Sequence, residues 1–186
     1  MSLVNREPNR LAIDVLSLEP TDRVVELGFG SGSAIKTMAS LVPEGSVLGI
    51  DQSPEMLAQA SGRNKLALGH GRVRLHLGGF NALPCDSCSI DKILAVNVVY
   101  FFRADAAELR EAHRVLRPGG LMAIYATHRS TMLYWKFAAS DTHTLFDEAE
   151  LRSLILRGGF PEDSTTILPI VLPFGIQGLL AVIRKN

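Results

Sequence analysis

Cysteine is nearly absent: Cys85 and Cys88 are the two among 186 residues. That is too few to staple a disulfide fold, and it points to a reducing, cytoplasmic compartment. A surplus of one charge is missing as well. Lys plus Arg and Asp plus Glu both number 19, for a formal net charge of zero. Without a basic run, nucleic acid is not the expected partner, because its binding rests on neutralising phosphates. The opening Met1-Ser2-Leu3-Val4-Asn5-Arg6 has no apolar h-region, so no secretory signal is expected. Residues 167–183 come nearest to a long apolar run, yet Pro169, Pro173, Gly175, Gln177 and Gly178 interrupt them. A spanning helix needs about 20 apolar residues, so two strands joined by a Pro-Phe-Gly turn are expected instead. Metal ligands are sparse too. Cys85-Asp86-Ser87-Cys88 has no second pair, whereas structural zinc takes four ligands. It lies in a loop before a strand, away from the helix start that redox pairs occupy, and reads as two reduced surface cysteines.

What is present is a globular composition, 47% hydrophobic and 20% charged, with length for a single domain over residues 1–186. The chain is organised around Val24-Val25-Glu26-Leu27-Gly28-Phe29-Gly30-Ser31-Gly32. Two β-branched residues and Leu27 read as a buried strand, and three alternate glycines follow. Ile35, Met38, Ala39 and Val42 then recur at i, i+3, i+4 and i+7, a helical stripe. The unit is strand, glycine turn, helix. Such turns sit at the carboxyl ends of strands in open α/β sheets, where ligands meet bare backbone and helix N–H groups.

The rest alternates in the same way. A helix from Pro8 carries Leu11, Val15 and Leu18. Residues 46–50 read as a second strand ending at Asp51, and Ser53-Pro54 opens a helix. Residues 73–77 and 90–96 read as further strands. Asp105 and Glu108 resemble a capping box for a helix with Leu109, Ala112 and Leu116 on one face. Residues 121–126 are a fifth strand. Thr144 or Asp147 caps the helix carrying Leu151, Leu154 and Ile155, and residues 165–172 and 179–184 close the chain as strands. This pattern predicts a doubly wound, Rossmann-like α/β fold: a seven-stranded, mostly parallel sheet with a C-terminal antiparallel hairpin and helices on both faces.

The dinucleotide fingerprint G-x-G-x-x-G/A fails in both registers, since its third position falls on Ser33 or Ile35. This disfavours an NAD-dependent oxidoreductase. The E-x-G-x-G-x-G form at Glu26 to Gly32 instead resembles the first motif of class I S-adenosylmethionine-dependent methyltransferases. Asp51, 19 residues beyond Gly32, is placed to accept both hydroxyls of a ribose, a device shared with dinucleotide folds. Ile50-Asp51-Gln52-Ser53-Pro54-Glu55-Met56-Leu57 resembles the second motif, Leu83-Pro84 the adenine-side loop, and Arg114 to Gly120 the helix end before strand five. In order and spacing these are similar to the ubiquinone/menaquinone-type branch of small-molecule methyltransferases. The resemblance implies S-adenosyl-L-methionine as cofactor. Gly28, Gly30 and Gly32 would lie under its methionine part, with Glu26 facing its ammonium. Asp51 would hold the ribose, Gln52 would lie along the adenine, and Asn97 would offer backbone or side chain near the sulfonium.

One position departs from that pattern. The family's acidic residue of the adenine loop falls here on Gly79, followed by Phe80. The expectation is that the Phe80 backbone N–H and ring hold the adenine, or that Asn81 substitutes; a catalytically silent member of the fold stays an alternative. His128, leaving strand five, is a candidate base. Tyr100, Phe101, Tyr134, Trp135 and, further off, Phe174 are candidates to line a pocket for an uncharged or apolar small-molecule acceptor.

Overall fold

The computed structural model describes residues 5–133 and 144–186. The first half runs α1 (Arg6–Leu16), β1 (Arg23–Leu27), α2 (Ser33–Leu41), β2 (Ser46–Asp51), α3 (Pro54–Arg63), α4 (Lys65–Gly69) and β3 (Val73–Leu77). The second runs β4 (Ile90–Val96), α5 (Ala107–Val115), β5 (Leu116–Thr127), α6 (Arg129–Met132), α7 (Glu148–Arg157), β6 (Thr165–Val171) and β7 (Gln177–Arg184). The strands form one seven-stranded sheet in the order β3-β2-β1-β4-β5-β7-β6. Strands β1 to β5 pair in parallel, and β7 runs antiparallel to both β5 and β6. The expected Rossmann-like sheet with a closing hairpin is the one that forms.

Strand β1 buries Val24, Val25, Glu26 and Leu27, as a strand covered on both faces must. Its side chains alternate between two layers. Val24 joins Leu16 of α1 and Ile35 and Met38 of α2, while Val25 and Leu27 join Leu109 of α5 and Leu154 of α7. The strand order reverses between β1 and β4. Loops leaving the carboxyl ends there depart in opposite directions and open a crevice; one is the glycine turn, the other begins at Asn97.

Local chemistry sets the element ends. Ser53 Oγ accepts from the Met56 N–H at 3.2 Å, with Pro54 as the first helical residue. Asp147 and Glu150 form the capping box of α7. The box expected at Asp105 and Glu108 does not form. Ala106 is the N-cap, in left-handed conformation at φ 58, which displaces the pattern by a residue. Asp105 instead accepts from the Ala107 N–H at 3.1 Å and Glu108 from the Arg103 N–H at 2.9 Å. Leu116, expected on the helix, opens β5: it pairs with Ile90 before the register shifts and Leu121 pairs with Lys92. Residues 167–183 form β6, a turn and β7, and no helix among the described residues is long and apolar enough to cross a membrane.

Candidate active site

The glycine turn is built by backbone first. Gly28 N–H donates to the Ile50 carbonyl at 2.8 Å and Gly32 N–H to Phe29 O at 2.9 Å. Gly28, Gly30 and Gly32 all have positive φ, at 73°, 50° and 75°. The three differ in what surrounds them. A Cβ on Gly28 would meet Val98, and one on Gly32 would meet Asn64 and Ala60, all under 3.0 Å. A Cβ on Gly30 would meet no protein atom within 4 Å. Gly28 and Gly32 are therefore glycine because the protein packs there, and Gly30 borders open space.

Asp51 ties the turn to β2. Its Oδ2 accepts from the Gly30 N–H and its Oδ1 from the Ser53 N–H, both at 2.9 Å. A carboxylate has about four acceptor positions, so each oxygen retains capacity toward the crevice. Glu26 is 3% exposed, and its Oε2 has no hydrogen-bond partner. Burial, with the Asp51 charge adding to it and the Ile35 N–H opposing, pushes its carboxyl up to about 8. An orphaned buried acid beside an open glycine and a strand-end carboxylate fits a cationic, ribose-bearing group. Gln52 lies exposed next to Asp51.

Two residues without a motif hold this turn. Asn64, buried at the end of α3, donates from Nδ2 to Gly32 O at 3.0 Å and Ala60 O at 2.9 Å. Arg63 Nε donates to Ser31 O at 2.9 Å. Sequence patterns do not reveal them, because their partners lie 32 residues away.

In the loop between β3 and β4, Phe80 is 4% exposed and its ring packs on Phe102 with centroids 6.0 Å apart. The ring expected to contact the adenine is therefore directed into the core. A Cβ on Gly79 would lie 2.8 Å from Asn81 Oδ1, so the Asn81 carboxamide occupies the space of the missing acidic side chain.

At the exit of β4, Asn97 adopts φ 52, a region Asn tolerates better than most residues. Its Oδ1 accepts from Tyr100 OH at 2.9 Å and the Thr127 N–H at 3.1 Å, and its Nδ2 donates to Asn5 Oδ1 at 2.8 Å. With the carboxamide so engaged and the Asn97 N–H donating to Tyr125 O at 2.8 Å, the backbone carbonyl of Asn97 is what remains for the crevice. Tyr100, expected in an acceptor pocket, is buried with its ring 6.4 Å from Phe146, and burial raises its phenol. Phe101 and Phe174 are exposed; Tyr134 and Trp135 lie outside the described residues.

His128 caps α6: its Nδ1 accepts from the Ser130 N–H at 3.1 Å and lies 2.8 Å from Ser130 Oγ. A neutral imidazole accepting at Nδ1 carries its proton on Nε2. His128 thus offers a donor in its neutral form, and service as a base requires this cap to rearrange. A cleft of about 410 Å³ lies elsewhere. It is lined by Arg23, Ser46 and Ile90 at the amino ends of the strands, opposite the glycine turn.

Comparison with known proteins places this geometry. Residues 24–120 match the model of a methyltransferase domain. An uncharacterized 37.1 kDa protein in transposon TN4556 of Streptomyces fradiae is 36% identical over 64% of this chain and 34% of its own length. The ubiquinone/menaquinone biosynthesis C-methyltransferase UbiE of Geobacter sp. (strain M21) is more distant, 28% identical over 72% of this chain and 57% of its own. The chain thus spans about a third to somewhat over half of these relatives. Among solved structures, geranyl diphosphate C-methyltransferase of Streptomyces coelicolor A3(2), in complex with S-adenosyl-L-homocysteine, superposes with a TM-score of 0.80. It covers 97% of this chain and 79% of that one at 13% identity, a likeness of fold. With the family model covering just over half of its residues, the chain belongs to the methyltransferase domain family.

Proposed function

We propose that the chain, as one domain, transfers a methyl group from S-adenosyl-L-methionine to a small, uncharged or apolar acceptor in the cytoplasm. The observation that carries this reading is the pairing of an open Gly30 with the buried, half-unpartnered Glu26 and the strand-end Asp51. Gly28, Gly30 and Gly32 would form the floor under the cofactor's methionine part. Glu26 would face its ammonium and Asp51 would take the ribose hydroxyls. Gln52 would lie along the adenine, with the Phe80 N–H and Asn81 serving its edge in place of an acid at Gly79. The backbone of Asn97 would border the reacting end. When bound, the sulfonium supplies an already activated methyl group. The protein's own work is to hold the acceptor in line and keep water out. The neutral His128 ring can orient an acceptor oxygen through its Nε2 proton.

The apolar acceptor class rests on charge balance and on the exposed Phe101 and Phe174 at this edge. The test is transfer of labelled methyl groups to a panel of small neutral acceptors, with RNA and DNA alongside. Label in small molecules is expected. Label confined to nucleic acid contradicts the proposed acceptor class, and S-adenosylhomocysteine binding without transfer to any acceptor favours the silent alternative.

A further inference from the structure

The cleft at the amino ends of β1, β2, β3 and β4 stands apart from the methyl-transfer reading. Arg23 and Ile90 are the first residues of β1 and β4, Ser46 is the first of β2, and Arg74 belongs to β3. The glycine turn leaves the far end of β1, roughly 15 Å away at the usual rise of a strand. Doubly wound folds place their ligands at the carboxyl ends, so this cleft is not part of that site. Its volume, about 410 Å³, lies in the range of small-molecule pockets.

The cleft has a defined chemistry. Leu48, Leu83 and Ile90 are buried beneath it, and polar atoms make up most of the surface it exposes. Arg74 sits beside Leu48 in register across β2 and β3, on the same face of the sheet. The guanidinium groups of Arg23 and Arg74 make no ion pair or hydrogen bond among the described residues. Both charges reach one wall: burial pushes the Cys85 thiol up, and Arg23, Arg74 and Arg114 oppose that rise. Asp86 also lines the cleft; with Arg114 neutralised by Glu111 at 2.7 Å, Arg23 and Arg74 stand as two cations against that one carboxylate.

The wall is fixed before any ligand arrives. Glu111 Oε1 accepts from the Leu83 N–H at 2.7 Å. Arg114 donates to Cys85 O at 2.9 Å and to Ser87 Oγ at 3.1 Å. These bonds strap the loop to α5, so little ordering is left for binding to oppose. We propose that this amino-edge cleft binds a small anion, a phosphate or carboxylate group held by Arg23 and Arg74.

The test is calorimetric titration of the full chain with inorganic phosphate and with acetate, at constant ionic strength. Octanol and chloride serve as controls. Saturable binding of at least one of the two anions, tighter than either control, is expected. Arg23→Ala and Arg74→Ala each weaken it by about tenfold or more, the usual effect of losing a charged hydrogen bond, and Arg74→Lys retains part. Both arginines are exposed, so the variants keep the wild-type melting temperature. Saturating S-adenosylhomocysteine leaves the affinity unchanged. Octanol binding as tightly as the anions, no saturable anion binding, unchanged affinity in both alanine variants, or competition with S-adenosylhomocysteine overturns the proposal.

Discussion

At Glu26 the folded protein keeps a proton that the unfolded chain gives up, since the buried carboxyl titrates near 8 and the free one at 4.5. The folded value is the raised one, so this contribution to stability is complete below about pH 4.5 and is lost as pH rises toward 8. The slope in that window is about 1.4 kcal/mol per pH unit. Glu26→Gln removes the titration. It is expected to melt above wild type near neutral pH and to flatten the melting profile between those limits; a wild-type slope in the variant assigns the titration elsewhere. A cation seated against Glu26 restores the carboxylate, so S-adenosylhomocysteine binding should release a proton, read as heats that vary with buffer ionisation enthalpy. Asp51→Ala should weaken that binding by about 1–3 kcal/mol, the scale of a hydrogen bond to a charged group. Asp51→Asn, which keeps one acceptor for Gly30 or Ser53, should lose less. Unchanged affinity in both variants means the carboxylate does not touch the ligand.

Among the elements, α3 shows which features a sequence displays. Its start is legible, because Ser53 and Pro54 act on neighbours within one turn. Its end is not, since Asn64 works on Gly32 through a contact set by the tertiary fold. The same distinction runs through the site. The glycines and Asp51 occupy positions fixed by strand ends and emerge from spacing, whereas the role of Glu26 comes with the methyltransferase resemblance. The engagement of Asn97 with Asn5 and the inward turn of the Phe80 ring depend on packing between distant segments, and spacing misplaces their side chains; the cap made by His128 is local, with Ser130 two residues on, and strand-end position alone does not show it. The start of α5 departs from the expected capping box because Ala106 adopts a left-handed conformation that residue type does not announce. Gly30→Ala separates turn from site. The cost of positive φ is about 1–2 kcal/mol, the protein folds, and affinity for S-adenosylhomocysteine falls because the methyl enters the ligand's space. Asn64→Ala should lower stability by about 1–3 kcal/mol by deleting the two Nδ2 bonds to Ala60 O and to Gly32 O, which then keeps only the Lys36 N–H at 3.3 Å; a melting temperature equal to wild type removes Asn64 from the support of the turn.

For the whole molecule, one sheet serves two edges. The strand order reverses between β1 and β4, so the carboxyl edge gathers the glycine turn, Asp51, Asn97 and His128 from segments far apart in sequence. The alternation of strand and helix made that topology legible, and the hairpin followed from the prolines and glycines that break residues 167–183. The amino edge was not legible, because a cleft between strand starts leaves no periodic mark. The central claim is that the carboxyl edge holds an S-adenosyl cofactor in a turn that rejects the dinucleotide pattern. Calorimetric titration of the full chain with S-adenosylhomocysteine, beside NAD and NADP, tests it most directly. One saturable site for S-adenosylhomocysteine and none for either dinucleotide is the predicted result; binding of NAD or NADP without binding of S-adenosylhomocysteine would contradict it.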